Sequence, residues 1–186
     1  MRPRVPIFDL DGTLLDTDAA LVATFVALGV PPEEVTFGHV LADECDRLGI
    51  DVDTYVARYD TELAEPFPGV SELVETLDHW ALCSNKHPAS GRRELVRLGW
   101  APDVALFSDA FDGPKRLSPL IDALGLEPDD VVFIGDTAHD RTVAAEAGVP
   151  FGLAAWNPRA VALDGDRVLA TPGDVPGFCD EPVRSR

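Results

Sequence analysis

Cysteine is scarce in this sequence, and that already removes several classes of protein. Cys45, Cys83 and Cys179 are scattered and odd in number, so neither a disulfide framework nor a cysteine-spaced metal site is expected. A reduced, cytoplasmic setting is predicted instead. Long apolar runs are missing too. The longest, Ala19 to Val30, contains Thr24 and Gly29 and is too short to span a bilayer. Met1-Arg2-Pro3-Arg4 is basic, but an aspartate pair follows within a few positions, so no signal-peptide core is expected. Positive charge is in short supply: 15 Lys and Arg face 33 Asp and Glu, for a net charge of -18. Nucleic acid and anionic membrane are therefore excluded as expected partners. A small phosphorylated metabolite is not, because a bound metal and one lysine can reverse the field locally. Most of the acidic excess reads as a solubilising surface. There is no internal repeat, and 16 prolines with 15 glycines in 186 residues fall short of a low-complexity composition.

What is present is a core-forming chain, 46% hydrophobic, of a length that suits one domain or one domain carrying a modest insertion. Its informative stretch is Ile7-Phe8-Asp9-Leu10-Asp11-Gly12-Thr13-Leu14. Val5 to Phe8 has the composition of a buried strand. It ends at two aspartates separated by one residue, at the edge where open α/β sheets place their ligands. Carboxylates so close repel unless a cation or a proton intervenes, and oxygen ligands suit magnesium. The plain alternative is a strand followed by an acidic Asp-Gly turn.

From Thr17 to Glu65 the pattern turns helical. Leu21, Val22, Phe25, Val26 and Leu28 follow helical spacing behind the capping-type residues Asp16, Thr17 and Asp18. Pro31 and Pro32 break that helix, Glu33-Glu34 suit the start of another, and Val52, Tyr55, Val56, Tyr59 and Leu63 form a third stripe. No strand signal interrupts the segment. Arg47, Arg58 and His39 read as solvated basic side chains. The expected organisation is an α/β core made of 1–17 and 66–186, with a small helical unit at 18–65.

In the returning core, apolar strands again end in polar groups. Trp80-Ala81-Leu82-Cys83 leads to Ser84-Asn85-Lys86. Ser84 either donates its hydroxyl to an oxyanion or caps the helix that Pro88 helps to start. Lys86 and His87 read as solvated. Val104 to Ser108 is the next strand. Gly113-Pro114-Lys115-Arg116 then precedes a helix with Ser118 as its expected cap, Pro119 in its first turn and Gly125 beyond its end. Lys115 is the candidate cation there, with Arg116 the alternative one position on. Val131 to Ile134 is a buried strand followed by Gly135-Asp136-Thr137-Ala138-His139-Asp140. The two acids could bind a cation or offset a helix dipole, and His139 reads as solvent-facing. Phe151 to Trp156 supplies a further strand. Beyond Asn157 the chain is turn-rich, and Arg184-Ser185-Arg186 is expected to fray.

Asp9-Leu10-Asp11-Gly12-Thr13, then Ser84, Lys115 and Gly135-Asp136 with Asp140, resemble in that order the four motifs of the haloacid dehalogenase-like (HAD) superfamily, most of whose members are phosphatases. The helical segment and the Pro-Gly-Val exit at 68–70 are similar to the phosphoglycolate-phosphatase-like branch, with a shortened cap. The resemblance implies a doubly wound parallel α/β sheet with an all-helical cap inserted after the first strand. It also implies Mg2+-dependent hydrolysis of a phosphate monoester through an aspartyl-phosphate. In that reading Asp9 is the nucleophile, Asp11 the general acid/base, and Asp9, Asp11 (through its carbonyl) and Asp136 the metal ligands. Ser84, Asn85 and Lys115 bind the phosphoryl group, and Asp140 and Thr13 support the site from behind. A phosphomutase of the same fold and a non-catalytic phosphate-binding module are the alternatives. A dehalogenase is disfavoured by the presence of Asp11, and a receiver-like signalling domain by the helical insert. Substrate identity and oligomeric state are not legible.

Overall fold

The computed structural model describes residues 3–36 and 40–182; His39 and the 184–186 tail discussed above lie outside them. The chain opens with β1 (Val5–Phe8) and a short β2 (Leu15–Asp16), then enters α1 (Asp18–Ala27), α2 (Leu41–Leu48) and α3 (Val52–Arg58). A second short strand, β3 (Glu65–Pro66), brings it back, followed by α4 (Val70–Thr76), β4 (Ala81–Cys83), α5 (Pro88–Leu98) and β5 (Val104–Leu106). Then come α6 (Ser118–Leu124), β6 (Val131–Gly135), α7 (Ala138–Ala147), β7 (Phe151–Ala154), β8 (Arg167–Leu169) and α8 (Val175–Cys179).

Six strands form one parallel sheet in the order β5-β4-β1-β6-β7-β8. The chain winds outward from β1 through β4 to β5, then crosses back to β6 on the other side. The sheet therefore reverses its winding between β1 and β6, the place where such sheets leave a crevice at the carboxyl ends of their strands. Asp9 and Asp136 are the residues that follow β1 and β6 there.

A strand covered on both faces needs apolar side chains at every position, not at alternate ones. β6 meets that requirement with five buried residues in a row. Its successive side chains supply the two faces alternately: Val132 and Ile134 pack with Phe8, Leu82, Leu73 and Trp100, while Val131 and Phe133 pack with Ile7, Ala81, Leu120 and Val143. Each large side chain buried this way contributes roughly 2 kcal/mol. An exposed pair such as Arg92–Asp109 contributes at most about 1 kcal/mol. Burial, rather than surface charge, holds the sheet.

The three helices between β2 and β3 have an apolar cluster of their own, centred on Phe25, Cys45, Tyr55 and Tyr59. β2 and β3 pair antiparallel at the two ends of this segment, a strand pair that its helical pattern did not announce. Glu33-Glu34 start no α-helix: they end a single 3-10 turn at Pro32–Glu34, and α2 begins only at Leu41. Thr17 stands at the cap position of α1 without a side-chain cap bond.

The tail also differs from its sequence reading. β8 and α8 form where the local signal fades, because distant residues anchor them. Arg4, a buried side chain, donates from Nη2 to the Phe178 carbonyl at 2.8 Å and lies 5.4 Å above the Phe178 ring. Gly152 makes room for this seat, since a Cβ there would fall 2.8 Å from Leu169 and 2.9 Å from Phe178. Among the described residues no helix is long and apolar enough to cross a membrane.

Candidate active site

The carboxyl ends of β1, β4 and β6 converge on a cavity of about 460 Å³. Asp9, Asp11, Ser84, Asn85, Lys115 and Asp136 all line it. Its opposite wall comes from Leu21, Phe25, Leu41 and Tyr55 of the helical segment.

Lys115 is the hinge of the charged cluster. Its ammonium, 3% exposed, lies 2.7 Å from Asp9 Oδ1 and 2.7 Å from Asp140 Oδ1. The loop that carries it is fixed by Asn85, whose Oδ1 accepts from the Lys115 backbone N–H at 2.7 Å. Asn85 thus holds the lysine as well as lining the cavity. Asp140 serves two ends at once. Its Oδ2 accepts from the Thr137 N–H at 2.9 Å while Thr137 Oγ1 accepts from the Asp140 N–H at 3.2 Å, a reciprocal cap on α7. Its Oδ1 holds Lys115. One carboxylate therefore both caps α7 and pairs with Lys115.

Asp136 is set by three neighbours. Thr13 Oγ1 donates to its Oδ1 at 3.1 Å, and Asn157 Nδ2 donates to its Oδ2 at 2.9 Å. Gly12, at φ +81°, presses its backbone against the same carboxylate; a Cβ there would sit 2.5 Å from Asp136 Oδ2. The glycine after Asp11 is needed both for its positive φ and for this approach.

Burial dominates the electrostatics. It pushes the Asp9 carboxyl up to about 8 against the pull of Lys115, and Asp136 up to about 6, with Asp140 adding to the rise. Burial would also depress the Lys115 ammonium, but Asp140 and Asp9 together reverse that and raise it. Asp140 is held below the usual carboxylate range because Lys115 and Thr137 outweigh its burial. Lys115 is thus the shared partner of Asp9 and Asp140, and burial disfavours the charged forms of Asp9 and Asp136. The oxygens of Asp9, Asp136 and Asp140 come within 4.8 Å of one another. An all-oxygen, electron-rich donor set of this kind fits a hard divalent cation. Asp140 is the least available donor of the three, since Lys115 and Thr137 occupy its oxygens.

Several side chains depart from their sequence reading. Lys86 is not solvated: it is 7% exposed and its Nζ lies 2.6 Å from Asp11 Oδ1. His87 caps α5, accepting from the Ala89 N–H at 3.3 Å, so Ser84 has no capping duty. Ser84 is buried, and its Oγ accepts from the Lys86 N–H at 3.2 Å. Ser118 is the first residue of α6, not its cap; Leu117 holds that position. His139 is half-buried and lines the cavity rather than facing solvent. Arg58 is exposed as expected, whereas Arg47 is tied to Glu44 at 2.7 Å. Arg116 remains exposed, which leaves Lys115 as the cation of that loop.

Asn157 and Trp156 are site residues that the sequence reading missed. Asn157 Nδ2 also donates to the Gly12 carbonyl at 2.9 Å, and Trp156 Nε1 donates to the Thr13 carbonyl at 2.8 Å. Both clamp the loop after β1. The available signal was positional: they lie just past β7, on the same carboxyl edge of the sheet.

The profile of a family described as haloacid dehalogenase-like hydrolase matches residues 6–154. A phosphoglycolate phosphatase of Xylella fastidiosa (strain 9a5c) is 29% identical, with 85% of this chain and 82% of that protein covered. An N-acetylmuramic acid 6-phosphate phosphatase of Pseudomonas aeruginosa is 28% identical, with 80% of each covered. Among solved structures, a haloacid dehalogenase-like family hydrolase of Streptococcus pneumoniae shares the fold. Its TM-score is 0.71 at 20% identity, over 95% of this chain and 98% of that one. With a doubly wound sheet, an acid-lined crevice at its switch point and a match over most of its length, the chain belongs to the haloacid dehalogenase-like hydrolase family.

Proposed function

We propose that this protein is a phosphatase that hydrolyses the phosphate monoester of a small metabolite through an aspartyl-phosphate at Asp9. The observation that carries the reading is the pairing of Lys115 with Asp9 and Asp140 at 2.7 Å each, beside Asp136 on the wall of the cavity. That constellation presents a carboxylate nucleophile next to positive charge, at the place where phosphoryl oxygens would collect it.

An Asp9 carboxylate oxygen attacks phosphorus, the ester P–O bond breaks, and Asp11 gives a proton to the departing alkoxide. Water then attacks phosphorus and passes a proton to Asp11. The acyl P–O bond breaks, which releases inorganic phosphate and restores both carboxyl groups. Ser84 donates its hydroxyl to a phosphoryl oxygen, and Lys115 neutralises charge between that group and Asp9. Asp9, Asp136 and the Asp11 carbonyl would hold Mg2+, which when bound supplies charge neutralisation for the phosphoryl oxygens. Residues 18–65 act as the cap and 1–17 with 66–186 as the core. The self-contained cluster around Tyr55 and the β2–β3 pair at its base support that division. The apolar wall of Leu21, Phe25, Leu41 and Tyr55 suits the carbon skeleton of the leaving group.

Purified protein should release phosphate from p-nitrophenyl phosphate with Mg2+ and lose that activity in EDTA, recovering it when Mg2+ is restored. Equal turnover in EDTA would contradict the metal assignment. Transfer of the phosphoryl group to a second position of a sugar phosphate, with no free phosphate formed, would favour a mutase.

A further inference from the structure

Lys86 is one of only two lysines in the chain, and like Lys115 it is buried against carboxylates. The mechanism above does not use it. Its Nζ lies 2.6 Å from Asp11 Oδ1, 2.9 Å from Tyr59 Oη and 3.0 Å from Glu94 Oε1. Tyr59 Oη in turn donates to Glu94 Oε1 at 2.8 Å. Glu94 is fully buried and Tyr59 is 4% exposed.

An ammonium has three N–H donors and no acceptor. Here three oxygens take all three, so none is left for a phosphoryl oxygen. That separates Lys86 from Lys115, which shares its site with the nucleophile. The lysine is anchored from three elements: the end of β4 through its own backbone, α5 through Glu94, and the helical segment through Tyr59. Asp11 is the one partner whose side chain remains partly open, at 28% exposure, and it lines the cavity.

We infer that Lys86, braced by Glu94 and Tyr59, is a positioning residue that fixes the Asp11 carboxyl group for proton transfer. Oδ1 is the oxygen held by the lysine, and Oδ2 is the one that gives the proton to the leaving group and later takes one from water. Because Tyr59 lies in the helical segment, the orientation of Asp11 depends on that segment being seated. This inference rests on the phosphatase reading.

The test compares glycerol 2-phosphate, whose alkoxide must be protonated to leave, with p-nitrophenyl phosphate, whose phenolate leaves unaided. In the double variant Lys86→Met/Glu94→Gln, which removes both charges together, kcat/KM for glycerol 2-phosphate should fall about 100-fold. For p-nitrophenyl phosphate it should change less than about 5-fold, with a burst of nitrophenol before a slowed steady state, since water activation by Asp11 is impaired. Tyr59→Phe deletes only a hydroxyl and should show the same split at about 5-fold to 10-fold. An equal fall for both esters without a burst, or a rise in KM with kcat unchanged, would overturn the inference. Absence of turnover of either ester by the unaltered protein would instead overturn the phosphatase reading beneath it.

Discussion

Asp9→Asn is expected to lower phosphate release by at least about 10⁴-fold while the protein stays folded. The loss follows from chemistry: an amide oxygen cannot form the acyl phosphate, and no other carboxylate is placed to replace it. Asp140 is committed to Lys115 and the start of α7, and Asp136 is held by Thr13 and Asn157. The fold should tolerate the change because Asp9 is a burdened ion. Its carboxyl is pushed up to about 8 by burial, and Asp140 and Asp136 both repel it. The amide removes that repulsion at nearly the same volume, at the cost of one ion pair to Lys115. A thermal midpoint close to that of the unaltered protein, measured without metal, is the matching stability result. A collapsed midpoint would mean that inactivity reflects unfolding.

Lys115→Met should have the opposite profile, with activity and stability both lost. The ammonium is the shared counterion of Asp9 and Asp140 at 2.7 Å each. Its removal leaves carboxylates buried without compensation, a change that typically costs about 3–5 kcal/mol. Catalysis should fall a further 10²–10³-fold or about that much, the scale of losing one preorganised charge at a developing anion. Denaturant unfolding of the two proteins checks the first part, and kcat/KM of whatever fraction folds checks the second. If Lys115→Met were as stable as the unaltered protein, Lys115 would not be the counterion that compensates Asp9 and Asp140. Adding Asp140→Asn to Lys115→Met should recover part of the stability and none of the activity, because it relieves a buried charge without replacing the cation.

The strand ends were legible in the sequence for a physical reason. A strand buried on both faces must be continuously apolar, so β1, β4 and β6 stand out, and a carboxylate or hydroxyl placed directly after such a run is conspicuous. Asp9, Ser84 and Asp136 were read that way. Lys115 was harder, since a proline-bounded loop lysine usually faces solvent; the series of motifs singled it out, and the structure places it in the cluster. The burial of Lys86 was not legible in the same way. Spacing along one chain says nothing about which lysine a distant glutamate and tyrosine will enclose, and Glu94 and Tyr59 lie on separate elements. Asn157 and Trp156 were missed for a related reason: they act through the backbone of the Gly12–Thr13 loop, a contact made more than 140 residues away in sequence. β8 and α8 carry little local propensity and exist because Arg4, Leu169 and Phe178 pack across the edge of the sheet.

A covalent phosphoryl group on Asp9 can be looked for directly. The protein is mixed with p-nitrophenyl phosphate and Mg2+, acid-quenched within the first turnovers and reduced with borohydride, which converts an aspartyl phosphate to homoserine. Mass spectrometry of the peptide that spans Ile7 to Leu14 should show homoserine at Asp9, absent when the ester is omitted and absent in Asp9→Asn. Modification of a different residue, or rapid turnover with Asp9 never modified, would contradict the account.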